Sequence, residues 1–292
     1  MSYGTKSHLK SPTQTATNTS TVIQPKSLSL IDKYKDDRHF VTALARGLEV
    51  LACFRSGNRV LGNQDIAKRC NLSNSTVSRL TSTLVKMGYL MHDAPSGKYR
   101  LGMATLSLGM GMLAKLDVRQ IARPFLQEIA DFSQGVVSLG VRDRLSMLCI
   151  ETCRSRSALT LQLDVGTRLP ITTSSMGRAY LAEAGQAELD EVFERVSELD
   201  ERSSHLIRQG IEQALKDYQE LGCTCSFGEW QGDVNGIAVG LNLGENFPIM
   251  SINCGGPSFS LSPEFLLDEV RPRLLAMTQR LKESFGVTDF NF

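Results

Sequence analysis

The chain has 292 residues, 22% of them charged and 41% hydrophobic, enough for two domains and a tail and too much for one small module. Its formal net charge of +1 hides an asymmetry: Lys+Arg against Asp+Glu runs five to three in residues 1–37, ten to three in 38–100 and seventeen to twenty-five in 101–292, or +2, +7 and −8. The basic part suits phosphates and the acidic part does not, and with no apolar run long enough for a signal peptide or membrane span a soluble, cytoplasmic protein without a membrane partner is expected.

Residues 1–37, rich in Ser, Thr, Gln and Lys, read as a disordered arm; Lys6, Lys10 and Lys26 can brush phosphates, although a spacer is the simpler reading. Residues 42–55 follow with Leu44, Leu48, Leu51 and Phe54 at helical intervals and Gly57 as the stop. Residues 63–70 form a short helix with Ile66 and Ala67 between polar positions and Asp65 in the first turn, where the helix dipole favours a carboxylate. Asn71-Leu72-Ser73 breaks it, and Ser73 or Asn74 caps a helix over 75–87 whose buried stripe is Val77, Leu80, Leu84 and Met87.

The opposite face of that helix carries Ser75, Thr76, Ser78, Arg79, Ser82 and Lys86 and no acid. Short hydroxyls let a helix enter the major groove closely, and an arginine can bridge O6 and N7 of guanine. Past Gly88, residues 89–92 and 98–101 flank Asp93-Ala94-Pro95-Ser96-Gly97, the makings of a hairpin from which Lys98 and Arg100 reach phosphates. The succession of helix, turn, polar-faced helix and basic hairpin predicts a winged helix-turn-helix, with the helix-turn-helix at about 61–80, and double-stranded DNA as its partner.

Residues 103–117, where the charge balance changes sign, read as a connecting helix whose Leu106, Met110 and Leu113 pack on a second subunit or on their own chain. Beyond it the pattern is mixed. An amphipathic helix over 121–132 is interrupted by Pro124; strands are expected at 136–141 and 147–152, with 159–163 a further candidate. A helix starts near Ser175 and a longer one covers 202–221, followed by strands at 223–227, 237–243 and 249–253. Ser262-Pro263-Glu264 opens the last helix with a cap, an N1 proline and a favourable charge. Antiparallel strands with helices at both ends predict an α+β sensor domain.

Seven cysteines, at 53, 70, 149, 153, 223, 225 and 254, lie in apolar segments without the paired spacing of a zinc site and read as buried thiols. Cys223-Thr224-Cys225 is the one pair that a strand would place on one face. Histidines 8, 39, 92 and 205 are dispersed, so no metal centre, cofactor site or catalytic triad can be assembled and an enzyme is not expected. An architectural DNA binder remains the other class, to be separated by whether a small ligand shifts the melting temperature.

Six segments, ALARGLEVL (43–51), IAKRCNLSNSTVSRLTSTLVKMGYL (66–90), GKYRLG (97–102), VGTRLP (165–170), SSMGRAYLA (174–182) and GCTCSFGEW (222–230), resemble successive landmarks of the IclR family of bacterial transcription regulators. The resemblance spans about residues 40–290. It implies a winged helix-turn-helix at 38–102, a linker helix at 103–118 and a GAF-like effector-binding domain at 119–290, assembled as homodimers or dimers of dimers. The function implied is repression or activation of transcription from an operator, controlled by a small carboxylate or aromatic catabolite. Gly240 departs from the pattern, which has proline there, and the change bears on the strand edge near the pocket. By the same resemblance the effector pocket draws on Ser175, Met176 and Gly177, on strand residues Ala238, Asn253 and Gly255, and on Glu229 near the rim. Physical reasoning meets it at Pro170-Ile171-Thr172-Thr173-Ser174-Ser175-Met176-Gly177: free N–H groups at a helix start, flanked by hydroxyls, bind a carboxylate well, though simple capping by Ser174 or Ser175 explains the same residues.

Overall fold

The computed structural model describes residues 31, 34, 36–54, 60–113, 118–155, 161–199, 201–244 and 247–287; most of the N-terminal arm with its three lysines, Gly57 and the start of the 159–163 segment lie outside them. Helices α1 (Thr42–Ala52), α2 (Asn63–Cys70) and α3 (Asn74–Lys86) precede a hairpin of β1 (Leu90–Asp93) and β2 (Lys98–Leu101). Helix α2 starts where Asp65 accepts the Gly62 N–H at 2.9 Å and stops at Asn71, which adopts a left-handed φ of 52°. Ser73 caps α3, its Oγ accepting the Thr76 N–H at 3.3 Å, so the helix starts one residue earlier than the sequence predicts and ends at Lys86.

Val50, Phe54, Leu61, Ile66, Val77 and Leu90 form the core of this domain, with Leu51, Leu80 and Leu84 partly buried against it. Met87, expected in the stripe, is 63% exposed because it lies past the last turn, before Gly88 reverses the chain at φ 77°. Leu44 and Leu48 are also exposed: α1 turns Val50 inward, Phe54 follows it into the core just past the helix end, and the face shared with Val41 is left uncovered. The hairpin gains a third partner that spacing does not reveal, since Leu61 and Tyr99 exchange both backbone hydrogen bonds at 3.0 and 2.8 Å. Helix α4 (Met103–Leu113) follows, with Met103, Leu106 and Leu108 exposed. The side chains of Met110 and Leu113 lie outside the described set.

From α5 (Val118–Ser133) the chain builds β3 (Val136–Asp143), β4 (Ser146–Arg154) and β5 (Arg168–Pro170), then α6 (Ser175–Ala184), α7 (Gln186–Leu199) and α8 (Glu201–Leu221). Strands β6 (Thr224–Phe227), β7 (Val234–Leu241) and β8 (Met250–Pro257) complete an antiparallel sheet of order β5-β4-β3-β8-β7-β6. The last helix opens at Pro263 under the Ser262 cap, passes a π-helical turn at Leu266–Val270 and continues as α9 (Arg271–Ser284). Local readings change as well, and β5 is a strand the sequence did not predict. Helix α5 runs through Pro124, which sits on its exposed side where the freed carbonyl can be hydrated. Leu161 to Leu163 are not strand. Helix α7, unanticipated, starts directly after Gly185, whose φ of 80° ends α6.

The helices cover both faces of the sheet, which is why β7 and β8 are buried at consecutive positions and not at every second one. Alternation sends Leu139, Val141, Ile237, Val239 and Ile252 to a cluster shared with α5 and α9, and Met147, Cys149 and Leu169 to one shared with α6, α7 and α8. On the second face β7 and β8 carry almost no bulk: Gly236 pairs with Gly255, Ala238 with Asn253 and Gly240 with Ser251. Helix α6 lies tightly against that strip, so a Cβ on Gly240 would fall 2.1 Å from Glu183 Cγ and one on Gly140 2.4 Å from Met176 Sδ.

Candidate functional site

Two surfaces carry chemistry. The first is the outer face of α3. Ser75, Arg79, Ser82 and Lys86 recur at intervals of four, three and four, so they form one stripe, and all four are exposed, as is Ser78. Thr76 is half-buried, with its amide and hydroxyl tied to Ser73. The inner face is fixed by Val77 and by Thr81, whose hydroxyl donates to the Val77 carbonyl at 2.9 Å and so needs no solvent. In the hairpin the period of two turns Lys98 and Arg100 outward on either side of Tyr99, whose ring meets that of His92 at 5.0 Å in a tilted contact. The turn between the strands is closed by Asp93: its carboxylate accepts both the Ser96 amide and the Ser96 hydroxyl, and the hydroxyl bond holds the carboxyl below its usual pKa. Gly97 supplies the φ of 64° that the turn requires. The structure thus places all eight sequence-nominated residues on α3 and the adjoining wing, a helix and a basic hairpin of the kind that straddles a DNA groove.

The second is a cavity at the start of α6, lined by Leu161, Leu169, Ser174, Ser175, Ser226, Trp230, Val234, Asn235, Gly236, Asn253 and Gly255, with an open volume of about 20 Å³. Ser174 is the helix cap: its Oγ accepts the Gly177 N–H at 3.1 Å and donates to the Pro170 carbonyl at 2.5 Å. That leaves the N–H groups of Ser175 and Met176, which have no acceptor within the helix. Asn253 contributes a buried Oδ1 that makes no hydrogen bond. Among the described residues the wall is therefore hydroxyls, amides and a helix start over an apolar floor, without a charged side chain. A wider recess of about 410 Å³ lies between Arg142, Arg144 and Tyr180, and two of its arginines are engaged by its own carboxylates: Arg142 binds Glu188 at 2.7 Å and Glu191 at 3.0 Å, and Arg195 binds Glu191 at 2.7 Å.

Of the seven residues nominated for the pocket, Ser175, Asn253 and Gly255 line the cavity. The other four do not. Met176 is buried under the helix with its Sδ against Gly140. Gly177 is where α6 meets the preceding loop, and a Cβ there would come 2.2 Å from the Ile171 carbonyl oxygen. Ala238 lies in the tight strip beneath α6. Glu229 is engaged with Arg178, a residue that spacing gave no reason to single out: the two form a bidentate pair at 2.8 and 2.5 Å. Arg178 also donates to the carbonyls of Thr172 and Cys225, both at 3.0 Å, and so bolts α6 to β6. The Gly240 departure has a partner too. It pairs with Ser251 of β8 on one side and on the other lies past the end of the β6 register at Ala238, where its N–H donates to the Tyr218 hydroxyl at 3.2 Å, a bond that proline cannot make. Tyr218 in turn donates to Glu183 at 2.7 Å, and burial together with that carboxylate pushes its phenol well above the ordinary value.

Trp230, Leu161, Ser226, Asn235 and Gly236 were missed. Each reaches the cavity through strand register or a long loop rather than through local pattern, and only Trp230, the single tryptophan, carried any signal of its own.

Comparison with known proteins gives the same two-part division. The profile described as IclR helix-turn-helix domain matches residues 43–94, and that described as Bacterial transcriptional regulator IclR C-terminal matches residues 110–282. The HTH-type transcriptional regulator TsaQ1/TsaQ2 of Comamonas testosteroni is 35% identical over 245 residues, covering 83% of this chain and 87% of its own. Among solved structures, an IclR family transcriptional regulator from Brucella abortus is 42% identical with a TM-score of 0.77, covering 86% of this chain and 95% of that one. An IclR homolog from Microbacterium hydrocarbonoxydans, solved in complex with 4-hydroxybenzoate, shares the fold at 24% identity and a TM-score of 0.67, over 84% of this chain and 100% of that one. A basic winged helix-turn-helix joined to an α+β domain, each matched by a profile of the same family, makes this chain a member of the IclR family of DNA-binding bacterial transcriptional regulators.

Proposed function

We propose that the chain binds an operator through α3 and the wing, and that a small organic anion in the cavity at the start of α6 controls its affinity for that operator. The observation that carries the second half is the unpartnered buried Oδ1 of Asn253, which shares the cavity with Ser175 and the start of α6. An aromatic acid answers these features: its carboxylate takes the helix N–H groups, a ring hydroxyl donates to Asn253, and the ring lies against Trp230 and Leu169. The Microbacterium homolog, solved with 4-hydroxybenzoate, supports this ligand class.

In this reading residues 38–102 are the DNA-binding domain, 103–118 the linker and 119–290 the effector domain, in a cytoplasmic protein. One winged domain offers few base contacts, so specificity comes from a homodimer, or a dimer of dimers, on an inverted repeat with half-sites about one helical turn or a multiple apart. Coupling between effector and operator is reciprocal and of order 1–3 kcal/mol.

Selection of duplexes from a random pool by the full chain should enrich an inverted repeat. Titration with 4-hydroxybenzoate and a panel of related acids should change Trp230 fluorescence, shift the melting temperature and alter affinity for the selected duplex. A Ser175→Phe variant should lose the ligand response and keep DNA binding. A pool with no enriched sequence overturns the DNA half; a ligand that binds yet leaves duplex affinity unchanged overturns the coupling.

A further inference from the structure

The thiols of Cys53 and Cys70 meet inside the DNA-binding domain. Cys53 follows α1, Cys70 is the last residue of α2, and their Sγ atoms are 3.1 Å apart although the residues are 17 apart in sequence. Both are half-buried, so small solutes reach them, whereas Cys149, Cys153 and Cys254 are buried. Arg69 donates from Nη1 to the Cys53 carbonyl at 2.9 Å, which fastens the end of α2 to the end of α1 and sets a cation beside the pair. We propose that Cys53 and Cys70 are a redox-modification site, a dithiol that hydrogen peroxide converts into a disulfide joining α1 to α2.

The chemistry is set by the asymmetry of the pair. Either thiol can donate in the 3.1 Å contact, and it is Arg69, held against the Cys53 carbonyl, that favours the Cys53 thiolate against the opposing effects of burial and Glu49. Cys53 is thus the nucleophile. Its thiolate attacks one peroxide oxygen, the O–O bond breaks and hydroxide leaves, giving a sulfenic acid. Cys70 then attacks the Cys53 sulfur, the S–O bond breaks, and the Cys70 proton departs with the hydroxyl as water. The hydroxide takes up the proton that Cys53 released, so two thiols are oxidised by two electrons while one peroxide becomes two waters.

The bond is coupled to the DNA-facing helix. Disulfide sulfurs lie about 2.05 Å apart, so the pair must close by about 1 Å. Cys70 directly precedes Asn71, whose left-handed conformation begins the turn leading to the Ser73 cap of α3. Hydrogen bonds tolerate only about 0.5 Å in length, so a shift of that size at the root of the turn disturbs base contacts made from α3.

The test uses the full chain, treated with a slight excess of hydrogen peroxide, blocked with N-ethylmaleimide and digested without reductant. Mass spectrometry should find the Cys53 and Cys70 peptides joined, in the parent and in a Cys223→Ser/Cys225→Ser variant, and not in Cys53→Ser or Cys70→Ala. Closing a loop of this length should raise the melting temperature of the helix-turn-helix domain by roughly 5 °C or more, reversed by dithiothreitol. Affinity for the selected duplex should fall at least threefold on oxidation and recover on reduction. Both thiols alkylating separately after peroxide, or linkage of Cys53 only to another molecule, overturns the site; a joined pair with unchanged duplex affinity overturns its effect on DNA. That last readout rests on the DNA-binding reading, whereas peptide mapping does not, so the two failures are distinguishable.

Discussion

The helix-turn-helix half and the sheet half solve opposite problems. In the first, a small core around Val50, Ile66 and Val77 frees the outside of α3 for a partner, and every nominated contact residue from Ser75 to Arg100 stands on or near the surface. In the second the chemistry faces inward: a strip of Gly, Ala, Ser and Asn on β7 and β8 lets α6 settle on the sheet, and the cavity is what remains at the helix start. An outward site tolerates change in its surroundings, while an inward one is set by the closeness of backbone to backbone. Substitutions should therefore damage folding in the sheet half and binding in the helical half.

The largest effect should come from Gly177→Ala, since its Cβ would lie 2.2–2.5 Å from three backbone atoms of Ile171 that have nowhere to move. We expect a loss of about 3 kcal/mol, read as a lower urea midpoint followed by Trp230 fluorescence; a change under about 1 kcal/mol would break the inward half of the comparison. Arg79→Ala should leave the melting temperature unchanged and lower duplex affinity by about 1–3 kcal/mol if the contact is bidentate. Unchanged binding by the folded variant would remove Arg79 from the interface. Glu229→Gln keeps the shape beside Arg178 but removes the charge; because the Glu229 side chain is 47% exposed, solvent screening holds the expected cost to about 1 kcal/mol of stability. Least of all, Lys98→Ala should weaken duplex binding equally across sequences and reduce the salt slope by about one, measured by titrations at several salt concentrations.

The helical half was almost fully legible because its signals are local. The Asn71 break, the Ser73 cap and the Asp93–Gly97 turn each depend on a few adjacent residues, and the groove-facing stripe follows from a period of 3.6. Its errors are local as well: Met87 fell past a helix end that periodicity could not see. The sheet domain was legible as elements and less so as a site. Nothing within GEW marks Glu229 as the partner of Arg178, because the two are 51 residues apart and meet only after β6 has paired with β7. Ala238 and Asn253 are directly paired yet only Asn253 reaches the cavity, a distinction made by where α6 lies over the strip. Pattern can nominate a face; it takes the register to say which end of the face is open.

The small open volume of the cavity has a kinetic consequence. About 20 Å³ holds a water molecule or so, far less than an aromatic acid needs. If an acid of that size is the effector, the cavity must widen before it enters, so the competent state is a minor one and the measured affinity is the intrinsic one reduced by its population. Binding traces after rapid mixing should then level off at high effector concentration, at the rate of opening, instead of climbing linearly with it. The regulator's response time would be set by how often its own wall breathes.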